Sequence, residues 1–261
     1  MNASLPSRRS AIKIIALTAA GAAMLPQRIF AQSAAADLLV PGADACVLVP
    51  EVTEGPYYFD PTLVRRDITE GKPGLPLLVR MQVVDTACQP FEGARVDIWH
   101  CDASGLYSGY ANQTDGENTQ GETFLRGTQF ADANGIAEFE TVYPGWYPGR
   151  TTHIHFKVFL DETNVLTGQL FFPEDVNNDV YATVVAYARD AQRATFNVND
   201  GIANQAGQTS VATMGEGNTG MVAALIIGVD ASAVSSGLGG PGAPGGPGVP
   251  AGPNGAPPPA G

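Results

Sequence analysis

Positive charge is scarce in this chain. Lysine and arginine number 14 against 26 aspartates and glutamates, a formal net charge of −12 over 261 residues. Binding to phosphate backbones needs clustered Lys and Arg, so a nucleic-acid partner is excluded. Cysteine is sparse too. Cys46, Cys88 and Cys101 are the full set, and no C-x-x-C pair is present to hold a structural zinc. Long apolar runs are missing as well: "IIALTAAGAAML" (Ile14–Leu25) is too short and too rich in Ala and Gly for a good membrane span. What is plentiful is apolar side chain, 44% of the residues against 15% charged, which supplies a packed core and excludes wholesale disorder.

The ends of the chain differ in composition from its middle. "SRRSAIK" (Ser7–Lys13) places paired arginines before the apolar run, and Ala31 closes a small-residue cleavage site. The pattern resembles a twin-arginine signal, so residues 1–31 are expected to direct export to the periplasm or beyond and to be removed. An ordinary secretory signal or a membrane anchor is the competing reading. Removing that segment takes away Arg8, Arg9, Lys13 and Arg28 and no acids, leaving 10 − 26 = −16 and no membrane span in the mature chain. Residues 32–45 read as a linker. Residues 233–261 are mostly Gly, Pro and Ala, and their glycine triplets (Gly239, Gly242, Gly245, Gly248) slip register at Gly252, which rules out a collagen rod and reads as a disordered tail.

Between them, residues 46–232 alternate short apolar runs with turn signals. "LLVRMQVVD" puts Val79, Met81 and Val83 on one face, and "ACQPFEG" is a turn into the returning strand "ARVDIWHC". "IAEFETV", "THIHFKVFL", "TGQLFF" and "VAALIIGV" (Val222–Val229) are further strands, and one short helix is predicted over Asp179–Ala188 behind an "NND" cap. The fold class is all-β: an antiparallel β-sandwich with long loops. If residues 79–86 and 94–101 form a hairpin, Cys88 and Cys101 lie too far apart to bond. That favours Cys46–Cys88, with Cys101 free and buried.

The segment "YPGRTTHIHF" (Tyr147–Phe156) carries the chemistry. In a strand, Ile154, Phe156, Val158 and Leu160 form one apolar face, so His153 and His155 share the other, with Cβ atoms about 7 Å apart. Two imidazoles at that spacing can converge on one ion about 2.1 Å from each nitrogen. Spacing alone favours the blander reading, a pair of hydrogen-bonded surface histidines. Phenolate is a hard ligand that suits a highly charged cation, which directs attention to Tyr147 in the loop "YPGWYPGR" and to Tyr107 after "HCDASGL".

With "TEGPYY" (Thr53–Tyr58), "VDIWHCDASGLYSGY" (Val96–Tyr110), "YPGWYPGRTTHIHF" (Tyr143–Phe156) and "GQLFF" (Gly168–Phe172), the chain resembles the intradiol ring-cleavage dioxygenases. It is similar to the protocatechuate 3,4-dioxygenase β subunit in particular. The resemblance implies a β-sandwich and one non-haem Fe(III) per chain, held by Tyr107, Tyr147, His153 and His155. It implies a catechol-type substrate and O2, with Tyr147 leaving the ion and accepting a substrate proton, and the ring opening between its hydroxylated carbons to a muconate-type diacid. It implies that Arg150 stands beside the bound ring and that Gln169 lies near it. His100 reads as structural, and Tyr57 and Trp146 as pocket-lining or packing residues. Tyr147 and His153 are only six positions apart, where the better-known enzymes carry a longer loop. Two other readings remain: a β-sandwich binding module without catalytic metal, and a zinc or copper site on the two histidines. Zinc rarely takes paired tyrosinates.

Overall fold

The computed structural model describes residues 47–60 and 62–236. The expected signal segment, the linker with Cys46, and the tail beyond Ser236 lie outside the described residues. Eight strands and two helices follow in order: β1 (Pro76–Val84), β2 (Arg95–Trp99), β3 (Arg126–Phe130), β4 (Ile136–Val142), β5 (His153–Leu160), β6 (Thr163–Phe171), α1 (Glu174–Thr183), α2 (Gly201–Ala206), β7 (Thr213–Glu216) and β8 (Met221–Gly228).

The strands form two four-stranded sheets, ordered β4-β1-β8-β7 and β3-β2-β5-β6. Their inner faces share one core. Leu77, Val79, Met81 and Val83 of β1 meet Val96 and Ile98 of β2 and Ile154, Phe156 and Val158 of β5 there. This is the sandwich the alternation predicts. Gly168 of β6 belongs to the same packing, because a Cβ on it would stand 2.3 Å from the Phe156 ring.

Three expectations need correction. β1 and β2 are not a hairpin: they lie in opposite sheets, and "ACQPFEG" carries the chain between them. Both strands have a core face, and an apolar face does not say which sheet a strand joins. The pairing is also not wholly antiparallel, since β1 and β8 run parallel, Leu77 opposite Met221 through Val84 opposite Gly228. The helix starts earlier than predicted. Pro173 precedes it and Glu174 and Asp175 fill its first turn, where acids meet the positive end of the dipole. "NND" is no cap, because buried Asn177 points inward and accepts the Tyr143 hydroxyl at 2.7 Å. β3, β7 and α2 are additional elements. Cys101 is free and buried, and Cys88 is disulfide-bonded. Ser235 still packs on the sandwich, its N–H donating to Asn164 O at 2.8 Å. Among the described residues no helix is long and apolar enough to cross a membrane.

Candidate metal centre

Strand β5 has one face in the core, so its other face looks out from the β3-β2-β5-β6 sheet. His153 and His155 stand there, yet they are 2% and 1% exposed and not the surface pair that spacing alone allows. Loops roof them. The β2–β3 loop brings in Tyr107, and the β4–β5 loop brings in Tyr147. Tyr107 Oη and Tyr147 Oη each lie 3.2 Å from His153 Nε2, and His155 Nε2 lies 3.1 Å from it. The six-residue span from Tyr147 to His153 therefore closes onto one point without a longer loop.

Local structure explains each placement. The backbone N–H of Tyr107 donates to Gln113 Oε1 at 2.8 Å, and Gln113 Nε2 donates back to Tyr107 O at 2.7 Å. A side-chain amide thus grips both backbone groups of that residue, and Thr119 Oγ1 adds a bond to the same carbonyl at 2.6 Å. The β2–β5–β6 register sets Trp99 and Gln169 on either side of His155. Trp99 stacks on the His155 ring at 4.8 Å between centroids and 10° between planes. Gly55, at φ +69°, passes close to the Cε1–Nε2 edge of that ring; a Cβ there would be 3.3 Å from His155 Cε1.

His153 Nδ1 lies 2.7 Å from the Thr151 carbonyl, which can only accept, so Nδ1 carries the proton and Nε2 a bare lone pair. Burial, then the charge of Arg150, lowers the pKa of His153 to about 3. Burial, then the neighbouring His153, holds His155 well below the ordinary histidine value. Both imidazoles are neutral and able to coordinate. Without a cation, burial drives Tyr107 well above the usual tyrosine range and Tyr147 up to about 12, the Arg150 charge opposing the latter rise. One lone pair can accept a single hydrogen, yet three donor atoms crowd it at 3.1–3.2 Å. Ligands about 2.1 Å from one ion and roughly 95–100° apart would be separated by about that much. His155 Nδ1 is buried with no hydrogen-bond partner, so no second contact competes for that ring. Among the described residues no third His, Cys or carboxylate joins the two imidazoles. Two phenols and two imidazoles fit a hard trivalent ion better than zinc.

Comparison with known proteins agrees with this geometry. A family model described as Dioxygenase matches residues 53–212, which contain all four donors. The solved structure of an intradiol ring-cleavage dioxygenase from Tetranychus urticae is 32% identical, with a TM-score of 0.68, over 74% of this chain and 99% of that one. The chain belongs to the intradiol ring-cleavage dioxygenase family. Catechol 1,2-dioxygenase of Candida albicans is 32% identical over 125 residues, 40% of this chain and 40% of that protein. The protocatechuate 3,4-dioxygenase beta chain of Burkholderia cepacia is 32% identical over 126 residues, 44% of this chain and 53% of that protein. The chain thus spans about half the length of the curated relatives it matches.

In this member of the family the remaining expected residues fall as follows. Arg150 Nη1 stands 3.4 Å from His153 Nε2, and Arg150 Nη2 donates to Gln169 Oε1 at 2.5 Å. Gln169 is anchored in turn by Nε2 donating to Thr53 O at 2.9 Å. Tyr57 stacks on Tyr107 at 4.3 Å and 14°. Trp146 is buried beneath the Arg189 guanidinium, 3.7 Å from its ring centroid, in a packing position. His100 is fully buried, with Nδ1–H donating to Cys101 O and Nε2 accepting from Thr141 Oγ1, both at 2.8 Å. Lys157, on the histidine face, pairs with Glu54 at 2.6 Å and covers the Tyr58 ring. Trp99, Gln113 and Asp200 contact the centre or its supports without having been singled out in the sequence. Only Asp200 left a usable signal, an N-cap residue ahead of "GIANQA".

Proposed function

We propose that this chain is a ferric, non-haem intradiol dioxygenase that adds O2 to a catechol and opens the ring between its two hydroxylated carbons. The observation that carries the reading is the convergence of Tyr107, Tyr147 and His155 on the bare Nε2 of His153. Tyr107, Tyr147, His153 and His155 would hold the iron, one per chain. When bound there, iron(III) would keep the phenolates ionised at neutral pH and act as Lewis acid and template for a chelated catechol.

The chain's own residues divide the remaining work. Tyr107 is 1% exposed and wedged under Tyr57, so it stays in place. Tyr147 is only partly buried and sits on a short Pro/Gly-bent loop. It is the phenolate free to swing away and accept a catechol proton. Arg150 presents a fixed positive charge beside the site, where negative charge grows on the substrate ring. Gln169 holds one edge of that guanidinium in place. Trp99 and Gly55 confine His155 from two sides and keep bulk water off it.

Metal analysis and oxygen uptake with a panel of catechols test this reading. About one iron per chain, a red-to-purple colour and oxygen consumption matched to diacid formation are expected. Colourless protein that binds zinc and consumes no oxygen would overturn it.

A further inference from the structure

Arg150 is a cation with little solvent around it, its side chain 15% exposed. What orients it lies 50 residues downstream. Asp200 is 3% exposed and accepts four hydrogen bonds. Its Oδ2 takes Arg150 Nε and the Thr151 backbone N–H, both at 2.8 Å. Its Oδ1 takes the Ile202 and Ala203 N–H groups, at 2.8 and 3.1 Å, and so caps α2. The Thr151 peptide gripped on its N–H side offers its carbonyl to His153 Nδ1 at 2.7 Å. One carboxylate therefore ties together the guanidinium, the peptide that fixes the His153 tautomer, and a helix start. Gln169 restrains only one terminal nitrogen of Arg150. Without Asp200 the Nε edge is released, and the guanidinium can turn toward the open side of the loop.

We propose that Asp200 is a positioning residue for ring cleavage, acting through Arg150 and Thr151 rather than by touching substrate. The inference rests on the dioxygenase reading above. The α2 cap and the arginine contact use different oxygens, so they can be separated. Asp200→Ser keeps a hydroxyl that caps helices well but is too short to reach Arg150. Asp200→Asn keeps one accepting oxygen and turns an N–H2 group toward either the cap or Arg150.

The experiment is a double-mutant cycle on iron-loaded full-length protein: wild type, Asp200→Ser, Arg150→Ala and the double variant. The measurements are kcat and KM by oxygen uptake, the visible band at rest, and a catechol titration of that band without oxygen. Asp200→Ser is expected to bind iron, keep the resting band, and lose about 100-fold in kcat with a smaller change in KM. The double variant should lose far less relative to Arg150→Ala than Asp200→Ser loses relative to wild type, because only the Thr151 route is left to disturb. The oxygen-free titration should weaken equally in both single variants. Wild-type turnover by Asp200→Ser would overturn the proposal, because Asp200 would then act only as a cap, as would full multiplication of the two losses in the double variant, because Asp200 would then act independently of Arg150. Should Asp200→Ser melt below the assay temperature, Asp200→Asn carries the same comparison. Wild-type protein that binds iron but consumes no oxygen with any catechol would overturn the dioxygenase reading itself, and this inference with it.

Discussion

Acidifying the metal-free protein offers a quantitative test of how the histidines are buried. His100 is fully buried, and desolvation lowers its pKa to about 4. In the unfolded chain it titrates near 6.5. Between those values the unfolded state binds a proton that the folded state refuses. Stability is therefore complete above about pH 6.5 and is lost as pH falls toward 4. Linkage puts the loss from His100 at about 2 kcal/mol between pH 7.5 and pH 5. His153, lowered to about 3, adds a similar amount while no metal occupies its lone pair. His155 acts in the same direction. Two such groups remove about 4 kcal/mol from a domain whose total is of order 5–15 kcal/mol. Urea unfolding of metal-free protein at pH 7.5, 6.5, 5.5 and 5.0 measures this, and Tm should fall by about 10 °C across the range. Carboxylates held low by their partners, such as Asp102 with Lys72 and Asp200 with Arg150, yield only below their ordinary range, so the two windows separate. Iron-loaded protein should show the shallower slope of His100 alone until the metal leaves. A metal-free curve flat from pH 7.5 to 5 would refute the burial argument for all three rings.

Three substitutions test separate parts of the centre. Tyr147→Phe should shift the visible band and slow catechol binding and turnover by about 100-fold, because the proton acceptor is gone; an unchanged spectrum removes Tyr147 from the ligand set. Gly55→Ala places a side chain at φ +69° and 3.3 Å from His155 Cε1. The left-handed backbone alone costs about 1–2 kcal/mol, seen as a Tm drop of about 4 °C with reduced iron content; retention of both would show that the loop yields easily. Gln113→Ala orphans the buried Tyr107 N–H while Thr119 still serves the carbonyl, a loss of about 1–3 kcal/mol in urea unfolding that should be accompanied by a broadened visible band.

The convergence of Tyr107, Tyr147, His153 and His155 was legible because their signals are local. On β5 a two-residue period separates core from centre, and Tyr107 and Tyr147 stand in loops whose neighbouring motifs are distinctive. Contacts between distant segments left weaker marks. β3 ("RGTQF") lacks an apolar alternation because its Arg126 is buried, bonded to the carbonyls of Tyr57 and Ser108 and to the Ser108 hydroxyl. No nearby residue type announces such a partner set. α2 is only six residues long and rich in Gly, Asn and Gln, so neither periodicity nor propensity marks it. The β1–β2 crossover has the composition of a hairpin turn, and its polar residues bond locally, with Asp85 N–H donating to Gln89 O at 2.9 Å. A local turn of that kind serves a crossover as well as a hairpin.

The same alternation that made β5 readable also makes it a stiff support for the two imidazoles. Ile154, Phe156 and Val158 are each fully buried in the core, interleaved with His153 and His155 along one backbone. Any displacement of an imidazole by half an ångström would have to drag close-packed core side chains with it, which the density of a protein interior resists. Trp99 and Gln169 come from the flanking strands at the same register, so they share that stiffness. The tyrosines come from loops, and their mobility differs. Tyr107 is clamped by Gln113, Thr119 and Tyr57, whereas the Tyr147 carbonyl accepts the Arg150 N–H across a short turn at 3.3 Å and its ring rests edge-on against Tyr107 and His153. On the dioxygenase reading proposed above, a centre that keeps three of these side chains and releases one in each turnover would need that asymmetry, and here it follows from which of the four stand on the strand, which loop is clamped and which is not.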